Sequence, residues 1–274
     1  MHMLVIPYPA IDPVALQLGP LAIKWYGLAY MAGLLLGWLY IKRLLRQPEL
    51  WRDGKAPFTP DLVDDLFMFV ALGVIIGGRL GHVLLYEPGL YLGSPLEILK
   101  IWKGGMAFHG GLLGTVLAMW LFARRYQVTA LSVMDLVAAA VPFGIFFGRL
   151  ANFINAEVVG NVTNVPWAMV FPNYGPAARH PSQLYEAALE GLALFFILRW
   201  MITSKQALHH PGWVGAAFLI GYGAFRTFCE LFKIDEYGGV FAIYPLTNGM
   251  VYSLLMVAAG AVAVWWLRRA PEAA

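Results

Sequence analysis

Charged residues are scarce in this sequence. Only 13% of the 274 residues are charged, 60% are hydrophobic, and the mean hydropathy is +0.65. A soluble globular domain carries about 25% charged residues, so the composition excludes an ordinary soluble enzyme. It also excludes an intrinsically disordered chain, because disorder requires low hydrophobicity and high net charge. The composition therefore indicates a protein that crosses a membrane several times.

The sequence has a single cysteine and lacks the common catalytic signatures. Cys229 is the only cysteine, which excludes an intrachain disulfide and a thiolate cluster for zinc or iron and sulfur. No G-x-S-x-G, HExxH, P-loop or GxGxxG pattern occurs, so neither a metal nor another cofactor is expected. The net charge of +3 comes without a basic stripe, so nucleic acid is not an expected partner.

Seven apolar stretches are long enough to cross a bilayer, which takes about 20 residues. The predicted spans cover residues 21–41, 62–86, 105–123, 131–148, 182–202, 212–232 and 246–267. If the N-terminus is outside, eleven basic residues lie in the cytoplasm and five lie outside, in agreement with the positive-inside rule. The sequence thus predicts an all-α polytopic membrane protein of about seven transmembrane helices, with its N-terminus out and its C-terminus in.

Two features predict how this membrane domain is built. Residues 150–181 are too rich in Pro, Asn and Gly for a span, and predict a small extracytoplasmic head inserted into a single integral membrane domain of residues 1–274. Within the spans, small residues recur four positions apart, a spacing that lets helix backbones approach closely. We interpret this spacing as a packing signal. The residues are Gly33, Gly37, Gly73, Gly77, Gly81, Gly110, Gly114, Gly144 and Gly148.

Three arginines, Arg79, Arg149 and Arg226, lie in or at the ends of apolar spans. An arginine at the centre of a span costs about 2.5 to 3.5 kcal/mol on insertion scales, so each needs a partner or a function. In the predicted topology all three lie toward the outer face, where a shared site could form. Arginine binds phosphate through two parallel hydrogen bonds. Because few acids are expected within the membrane, the sequence predicts unmatched positive charge and a phospholipid head group as its ligand.

A structural role for these arginines stays open beside the functional one. The arginines could snorkel, or pair with Glu157 and Glu230, and Arg226 and Glu230 are spaced for a pair on one helix surface. Glu186 and Glu190, one turn apart in the predicted fifth span, could pair with arginines of neighbouring helices.

Other polar residues near the outer ends of the spans are candidates for the same site. His109 lies among four glycines in WKGGMAFHGGLLG, where it could be a hydrogen-bonded structural residue or a general base that a substrate can approach closely. Asn152 and Glu157 follow Arg149 and could bind a glycerol head group or orient the arginine, although an asparagine can also cap a helix end. Tyr26 either belongs to an interfacial aromatic belt or contacts a head group.

Motifs along nearly the whole chain resemble those of the bacterial prolipoprotein diacylglyceryl transferase family. The most specific is GRLANFINAEVVG, with its fixed spacing of Arg, Asn, Asn, Glu and Gly. The others are PYPAIDPVALQLGP, WYGLAY, GGRLGHVLLY, WKGGMAFHGGLLG, PWAMVFP, RHPSQLYEA and YGAFRTFCELF. One departure is His82, where an aromatic residue is expected after GGRLG.

The resemblance implies a reaction and a set of site residues. It implies transfer of the diacylglyceryl group of phosphatidylglycerol to the lipobox cysteine thiol of a prolipoprotein, which forms a thioether and releases glycerol phosphate. The enzyme would lie in the bacterial inner membrane, with its site toward the periplasmic leaflet. By motif, Arg149 and Arg226 resemble catalytic or phosphate-binding arginines and His109 resembles the family's proposed base. Other functionally important positions of the family match Tyr26, Asn152, Glu157 and Glu230. Arg79 is a further candidate for substrate binding.

Two other classes of function stay open from the residues alone. A lipid or small-anion transporter would also place arginines inside a bundle, but it predicts discontinuous helices near the midplane. A lipid-binding scaffold would not need a histidine among glycines. The polar residues concentrate toward one membrane face, which favours an interfacial enzyme.

Overall fold

The structure, a computed structural model, describes residues 6–9, 11–233 and 246–269. Within these ranges the protein is mostly helical, with two small two-stranded sheets. The helices are α1 (Trp25–Leu45), α2 (Leu62–Leu85), α3 (Pro88–Gly93), α4 (Phe108–Tyr126), α5 (Ala130–Ile154), α6 (Ser182–Ser204), α7 (Trp213–Glu230) and α8 (Asn248–Arg269). The strands are β1 (Ile6–Pro7), β2 (Val14–Leu18), β3 (Leu21–Lys24) and β4 (Met169–Val170).

Five helices are long and apolar enough to cross a membrane, namely α1, α2, α5, α6 and α8. This confirms a helical membrane protein. Helices α4 and α7 have 19 and 18 residues but are less apolar. The reason is visible in their sequences, since α4 ends in Arg124 and Arg125 and α7 carries Arg226 and Glu230.

Two helix boundaries differ from the prediction in ways that matter for the site. Residues 21–24 pair with β2 in an antiparallel hairpin, so α1 begins at Trp25. Helix α5 continues six residues beyond the predicted end, to Ile154. Arg149 and Asn152 therefore lie on a helix, one turn apart, and not in a segment that has left it.

The long helices pack mainly in pairs: α1 on α5, α2 on α4, and α7 on α8. Glycines make the α2–α4 pair possible. A Cβ added at Gly114 would lie 2.9 Å from the Cα of Gly77 and would overlap the carbonyl oxygen of Gly73. A Cβ at Gly81 would lie 2.7 Å from the Cα of Gly110. The packing interpretation of the glycine spacing is thus confirmed for these two helices.

The main hydrophobic core lies at one end of the bundle. Leu44 at the end of α1, Leu66 at the start of α2 and Phe122 near the end of α4 are all fully buried. Leu136 of α5 and Leu198 of α6 join the same cluster. The core therefore closes the bundle at the end opposite to Arg149.

A buried carboxylate fixes the start of α7, the helix that carries Arg226. Asp135 of α5 is 1% exposed and accepts hydrogen bonds from the backbone N–H groups of Gly212, at 2.6 Å, and Gly215, at 2.7 Å. The first N–H groups of a helix have no partner within the helix. Asp135 supplies those partners from a neighbouring helix and so ties α7 to α5.

The head segment is built from two distant parts of the chain. Strand β1 pairs in parallel with β4, and the hydroxyl of Tyr8 donates to the carbonyl oxygens of Phe153 and Ile154 at 2.7 Å each. Phe153 and Phe171 belong to a small hydrophobic core, and Tyr8 and Met169 pack against it. The N-terminal segment is therefore part of the head, which the sequence did not predict.

We expect the Gly114→Ala substitution to separate α2 from α4. The added methyl group overlaps backbone atoms of α2 that cannot move aside, and overpacking of this kind costs about 1 to 3 kcal/mol. The matched control is Gly27→Ala in α1, where a Cβ would meet no atom within 4 Å. Thermal unfolding in detergent should show a lower midpoint for Gly114→Ala alone. Equal midpoints for the two variants would refute the proposed role of the glycine.

Candidate active site

Glu186 joins the two arginines that the sequence places in the site. Its Oε2 lies 3.1 Å from Nε of Arg149 on α5, and its Oε1 accepts a hydrogen bond from Nη1 of Arg226 on α7. Nζ of Lys233 lies 3.5 Å from the same Oε1. The Glu186 side chain is fully buried. One carboxylate on α6 therefore bridges cations that come from the helices on either side.

The backbone of α6 brings a second carboxylate to the same place. The residues of Ala187–Ala193 form a π-helical segment within α6, a feature that is frequent at functional sites. Glu190 lies in it, fully buried, with one oxygen 3.7 Å from Arg149 and the other 3.7 Å from Arg226. Gly191 lets this segment approach α5, because a Cβ there would lie 2.9 Å from the Cα of Phe146.

The arginines have acidic partners within the bundle, contrary to the expectation of unmatched positive charge. Arg149 and Arg226 face Glu186 and Glu190, and Arg226 also pairs with Glu230 at 2.9 Å. A buried charge needs a partner of opposite charge, and both glutamates of α6 lie within salt-bridge distance of the two arginines. The predicted pairing of Glu186 and Glu190 with arginines of neighbouring helices is confirmed.

Glu230 is held in turn by the start of α8. The hydroxyl of Thr247 donates to Oε1 of Glu230 at 3.2 Å and accepts from the backbone N–H of Met250 at the same distance. Thr247 is thus an N-cap whose hydroxyl also supports the carboxylate that holds Arg226. Gly249 makes the approach possible, because a Cβ there would lie 2.6 Å from Cδ of Glu230.

Asn152 and Glu157 extend the cluster from Arg149 toward the head. Oδ1 of Asn152 accepts from Nη1 of Arg149 at 3.5 Å, and its amide nitrogen donates to Oε1 of Glu157 at 2.7 Å. The backbone carbonyl of Glu157 accepts from the side chain of Gln183 at 2.6 Å. Asn152 therefore orients Arg149 through a chain of hydrogen bonds that ends in the head segment.

A cleft of about 780 Å³ opens beside Arg149. Its walls are apolar side chains and glycines of α1, α2 and α5, among them Leu34, Val70, Ile75 and Val141. Arg149 and Asn152 lie at one end of the lining, and Ile41 and Leu66 of the main core lie at the other. The cleft is thus an apolar space that ends at a guanidinium group.

Arg79 occupies a different environment from the other two arginines. Its side chain donates to four backbone carbonyl oxygens, those of Glu97, Ile98, Gly104 and Gly105, at 2.6 to 3.0 Å. Arg79 is 5% exposed, and these carbonyls belong to the segment that joins α2 to α4. The structure therefore does not bring Arg79 together with Arg149 and Arg226 in a shared site. Substrate binding by Arg79 stays a prediction.

The segment that Arg79 holds also carries an ion-paired carboxylate. Lys100 and Lys103 both donate to Glu97, the latter at 2.8 Å, and these hydrogen bonds lower the pKa of Glu97 to about 2. The carboxylate is therefore charged at neutral pH, and its ion pairs with the two lysines persist there.

His109 and Tyr26 lie outside the network of ion pairs. His109 is exposed in the first turn of α4, with its ring centroid 5.0 Å from that of Tyr252 on α8. Phe108, the residue before it, lines the cleft. The Tyr26 hydroxyl lies 3.3 Å from that of Tyr30, which also lines the cleft. Both candidates are therefore adjacent to cleft residues, and their chemical roles stay predictions.

Comparisons with known proteins identify the family of this chain. The model of the family described as prolipoprotein diacylglyceryl transferase matches residues 13–266. The chain belongs to the prolipoprotein diacylglyceryl transferase family. A phosphatidylglycerol–prolipoprotein diacylglyceryl transferase of Rhizobium meliloti (strain 1021) is 51% identical over 271 residues, which cover 98% of this chain and 96% of that protein.

Further relatives with the same name extend the match. The transferase of Sinorhizobium medicae (strain WSM419) is 50% identical over 271 residues, with the same coverage of 98% and 96%. The transferase of Brucella canis (strain ATCC 23365 / NCTC 10854 / RM-666) is 49% identical over 265 residues, which cover 96% of this chain and 94% of that protein. The resemblance inferred from the motifs is confirmed.

The site of this diacylglyceryl transferase family member includes residues that were not among the predicted site residues. The sequence predicts Glu186 and Glu190 only as partners of arginines. Two glutamates one turn apart in an apolar span also indicate a functional site, because ionisable residues within a membrane are costly. No sequence pattern indicates that Lys233 and Thr247 belong to the site, because each is a common residue at a helix end. Their part in the cluster depends on the packing of α7 and α8.

We expect substitutions of Thr247 to separate helix capping from support of Glu230 in this transferase. Thr247→Ser keeps the hydroxyl and should keep both activity and stability. Thr247→Val should lower the stability by about 1 kcal/mol through loss of the N-cap. Thr247→Asp keeps a good N-cap but faces Glu230 with a second carboxylate, so Arg226 should be displaced and the transfer rate should fall about tenfold or more.

The measurements are thermal unfolding in detergent and the initial rate of diacylglyceryl transfer for all three variants. A Thr247→Asp protein with the activity of the unsubstituted protein would show that Thr247 does not position Glu230.

Proposed function

We propose that this protein transfers the diacylglyceryl group of phosphatidylglycerol to the lipobox cysteine thiol of a prolipoprotein and releases glycerol phosphate. Membership in the family and the activity named for its relatives support the reaction. The observation that carries the assignment to a place in the structure is the cleft, whose apolar walls end at Arg149 and Asn152. Such a space suits acyl chains attached to a phosphate.

Arg149 is the proposed ligand of the lipid phosphate. Its side chain is 22% exposed, and of its five N–H donors only Nε has a partner as close as 3.1 Å. The contacts of its terminal nitrogens with Asn152 and Glu190 are longer, at 3.5 and 3.7 Å. These terminal donors can therefore turn toward two phosphate oxygens, which is the geometry that a guanidinium group favours.

Arg226 has a different proposed task. Glu186 and Glu230 hold its guanidinium group from two sides, so its charge is fixed in place before the substrate arrives. A positive charge that is oriented in advance stabilises negative charge as it develops in the transition state. We assign Arg226 to stabilisation of the departing phosphate and Glu186 and Glu230 to its orientation.

The reaction is a displacement at the glyceryl carbon that carries the phosphate. The thiolate of the prolipoprotein attacks this carbon, the C–S bond forms, and the C–O bond to phosphate breaks with its electron pair on the leaving oxygen. A free thiol has a pKa of about 8.5 and is a poor nucleophile until its proton is removed. His109, exposed next to the cleft residue Phe108, is the proposed acceptor of that proton.

The remaining candidates are assigned to support. Asn152 orients Arg149 and, with Glu157, faces the head group. Tyr26 lies one hydrogen bond away from the cleft residue Tyr30 and is proposed to contact the lipid at the same level. Arg79 is proposed to hold the segment between α2 and α4 through the backbone carbonyls of that segment, and substrate binding by Arg79 stays a prediction.

The proposed orientation in the bacterial inner membrane places the site toward the periplasm. We propose seven spans, formed by all the long helices, with the head of residues 150–181 outside. Basic residues in the last turns of α1, α4 and α8 support this, since all three turns lie at the core end of the bundle, away from Arg149. Cytoplasmic ends of spans carry such residues.

The purified protein in detergent tests the proposed function directly. It is incubated with phosphatidylglycerol and a peptide that contains a lipobox cysteine, and mass spectrometry should show a diacylglyceryl thioether. We expect Arg149→Lys to lower the rate by about 100-fold, because a single ammonium group cannot replace two parallel hydrogen bonds in the transition state.

Arg125→Lys is the matched control, because Arg125 is exposed in the last turn of α4, far from Arg149. This variant should have the transfer rate of the unsubstituted protein. If the unsubstituted protein binds the lipid but forms no adduct, the proposal of an enzyme fails. A lipid transporter and a lipid-binding scaffold are then the remaining classes.

We expect His109→Gln to change the pH dependence of transfer as well as its rate. Loss of a general base lowers rates by about 100-fold to 10,000-fold. Without the base, the thiol must lose its proton to water, so the rate should rise as the pH approaches the thiol pKa of about 8.5. Initial rates at increasing pH measure this. A His109→Gln protein with an unchanged pH profile would remove His109 from the mechanism.

A further inference from the structure

Glycines with the same spacing have different surroundings in two parts of the bundle. In the α2–α4 pair, a Cβ added at Gly77 or Gly114 would collide with the backbone of the opposite helix. In α5, a Cβ added at Gly144 or Gly148 would meet no atom within 4 Å. Close helix packing therefore explains the first pair of glycines and leaves the second pair unexplained.

Gly144 and Gly148 both line the cleft that ends at Arg149. The missing side chains thus leave room for whatever fills the cleft. At this level the cleft is bounded by α1, which lies directly against α5. A Cβ at Gly33 of α1 would be 2.9 Å from the Cα of Gly144, so the two backbones are already in contact.

The depth of the cleft corresponds to one leaflet of a bilayer. Its lining on α5 runs from Val137 to Asn152, and Arg149 lies twelve residues after Val137, or about 18 Å along a helix axis. The hydrocarbon core of a bilayer is about 30 Å thick, so one leaflet contributes about 15 Å. At the far end Ile41 and Leu66, 1% and 0% exposed, belong to the main core. An acyl chain that starts at Arg149 therefore has about the depth of one leaflet before it reaches this floor.

We propose that the cleft selects phosphatidylglycerol by the length and bulk of its acyl chains, and that Gly144 sets the width that a long chain needs. This inference rests on the proposed function. Gly144 lies five residues before Arg149 on α5, about 7.5 Å along the axis, so a side chain there blocks the passage between the phosphate and the floor. A hexanoyl chain reaches only a few carbons beyond this level, whereas most of a palmitoyl chain must pass it.

The test compares two lipids in the transfer assay, dipalmitoyl and dihexanoyl phosphatidylglycerol, with Gly144→Leu and the unsubstituted protein. The ratio of kcat/KM for the long lipid to that for the short lipid should fall about tenfold or more in Gly144→Leu, as is typical of a misfit in an apolar pocket. Ala71→Leu narrows the cleft from α2 and should lower the same ratio. It serves as the second variant if Gly144→Leu does not fold.

Ala259→Leu, the same change as Ala71→Leu but at an exposed position of α8, is the matched control and should leave the ratio unchanged. The inference is overturned if the folded variants lose activity equally with both lipids, or with neither. If the unsubstituted protein modifies the peptide with neither lipid, the proposed function itself fails, and that result is distinct from an unchanged ratio in an active enzyme.

Discussion

The shared carboxylate of Glu186 is the interaction on which the arrangement of the site depends. It lies between Arg149 and Arg226 and is closed off from solvent. Two guanidinium groups this close repel each other, and burial makes the repulsion stronger. The glutamate turns that repulsion into attraction between three helices. Helices α5, α6 and α7 are thus held together at the polar end by charge, at a level where apolar packing alone would not fix their rotation.

The opposite end of the bundle is held by hydrophobic packing. Leu44, Phe122 and Leu198 belong to one continuous buried cluster, whereas the space between the α1–α5 and α2–α4 pairs remains open above it. The protein therefore has two fixed ends with a cleft between them. A lipid can enter such a cleft sideways from the bilayer without passing through water, because the chains exchange one apolar environment for another.

The amino-acid sequence predicted the place of the long helices well, because the length of an apolar run reflects the thickness of the bilayer, and five of these helices are long and apolar enough to cross it. It was less accurate where other forces decide, as in the hairpin before Trp25 and the extension of α5 to Ile154. The cost of burying arginine correctly singled out Arg149 and Arg226 as one cluster. The same reasoning placed Arg79 in this cluster as well. In the structure the partners of Arg79 are backbone carbonyls, and a sequence pattern gives no sign of such partners.

The π-helical segment Ala187–Ala193 within α6 places a constraint on the length of this part of the chain. A π-helical turn closes with one residue more than an α-helical turn. Loss of one residue here would return the segment to an α-helix, which keeps the helix on either side in nearly the same rotation but changes the direction of the residues within the segment, Glu190 among them. The position of Glu190 between Arg149 and Arg226 therefore depends on the wide turn. Exchange of one apolar residue for another is therefore a smaller change in this segment than insertion or deletion of a single residue.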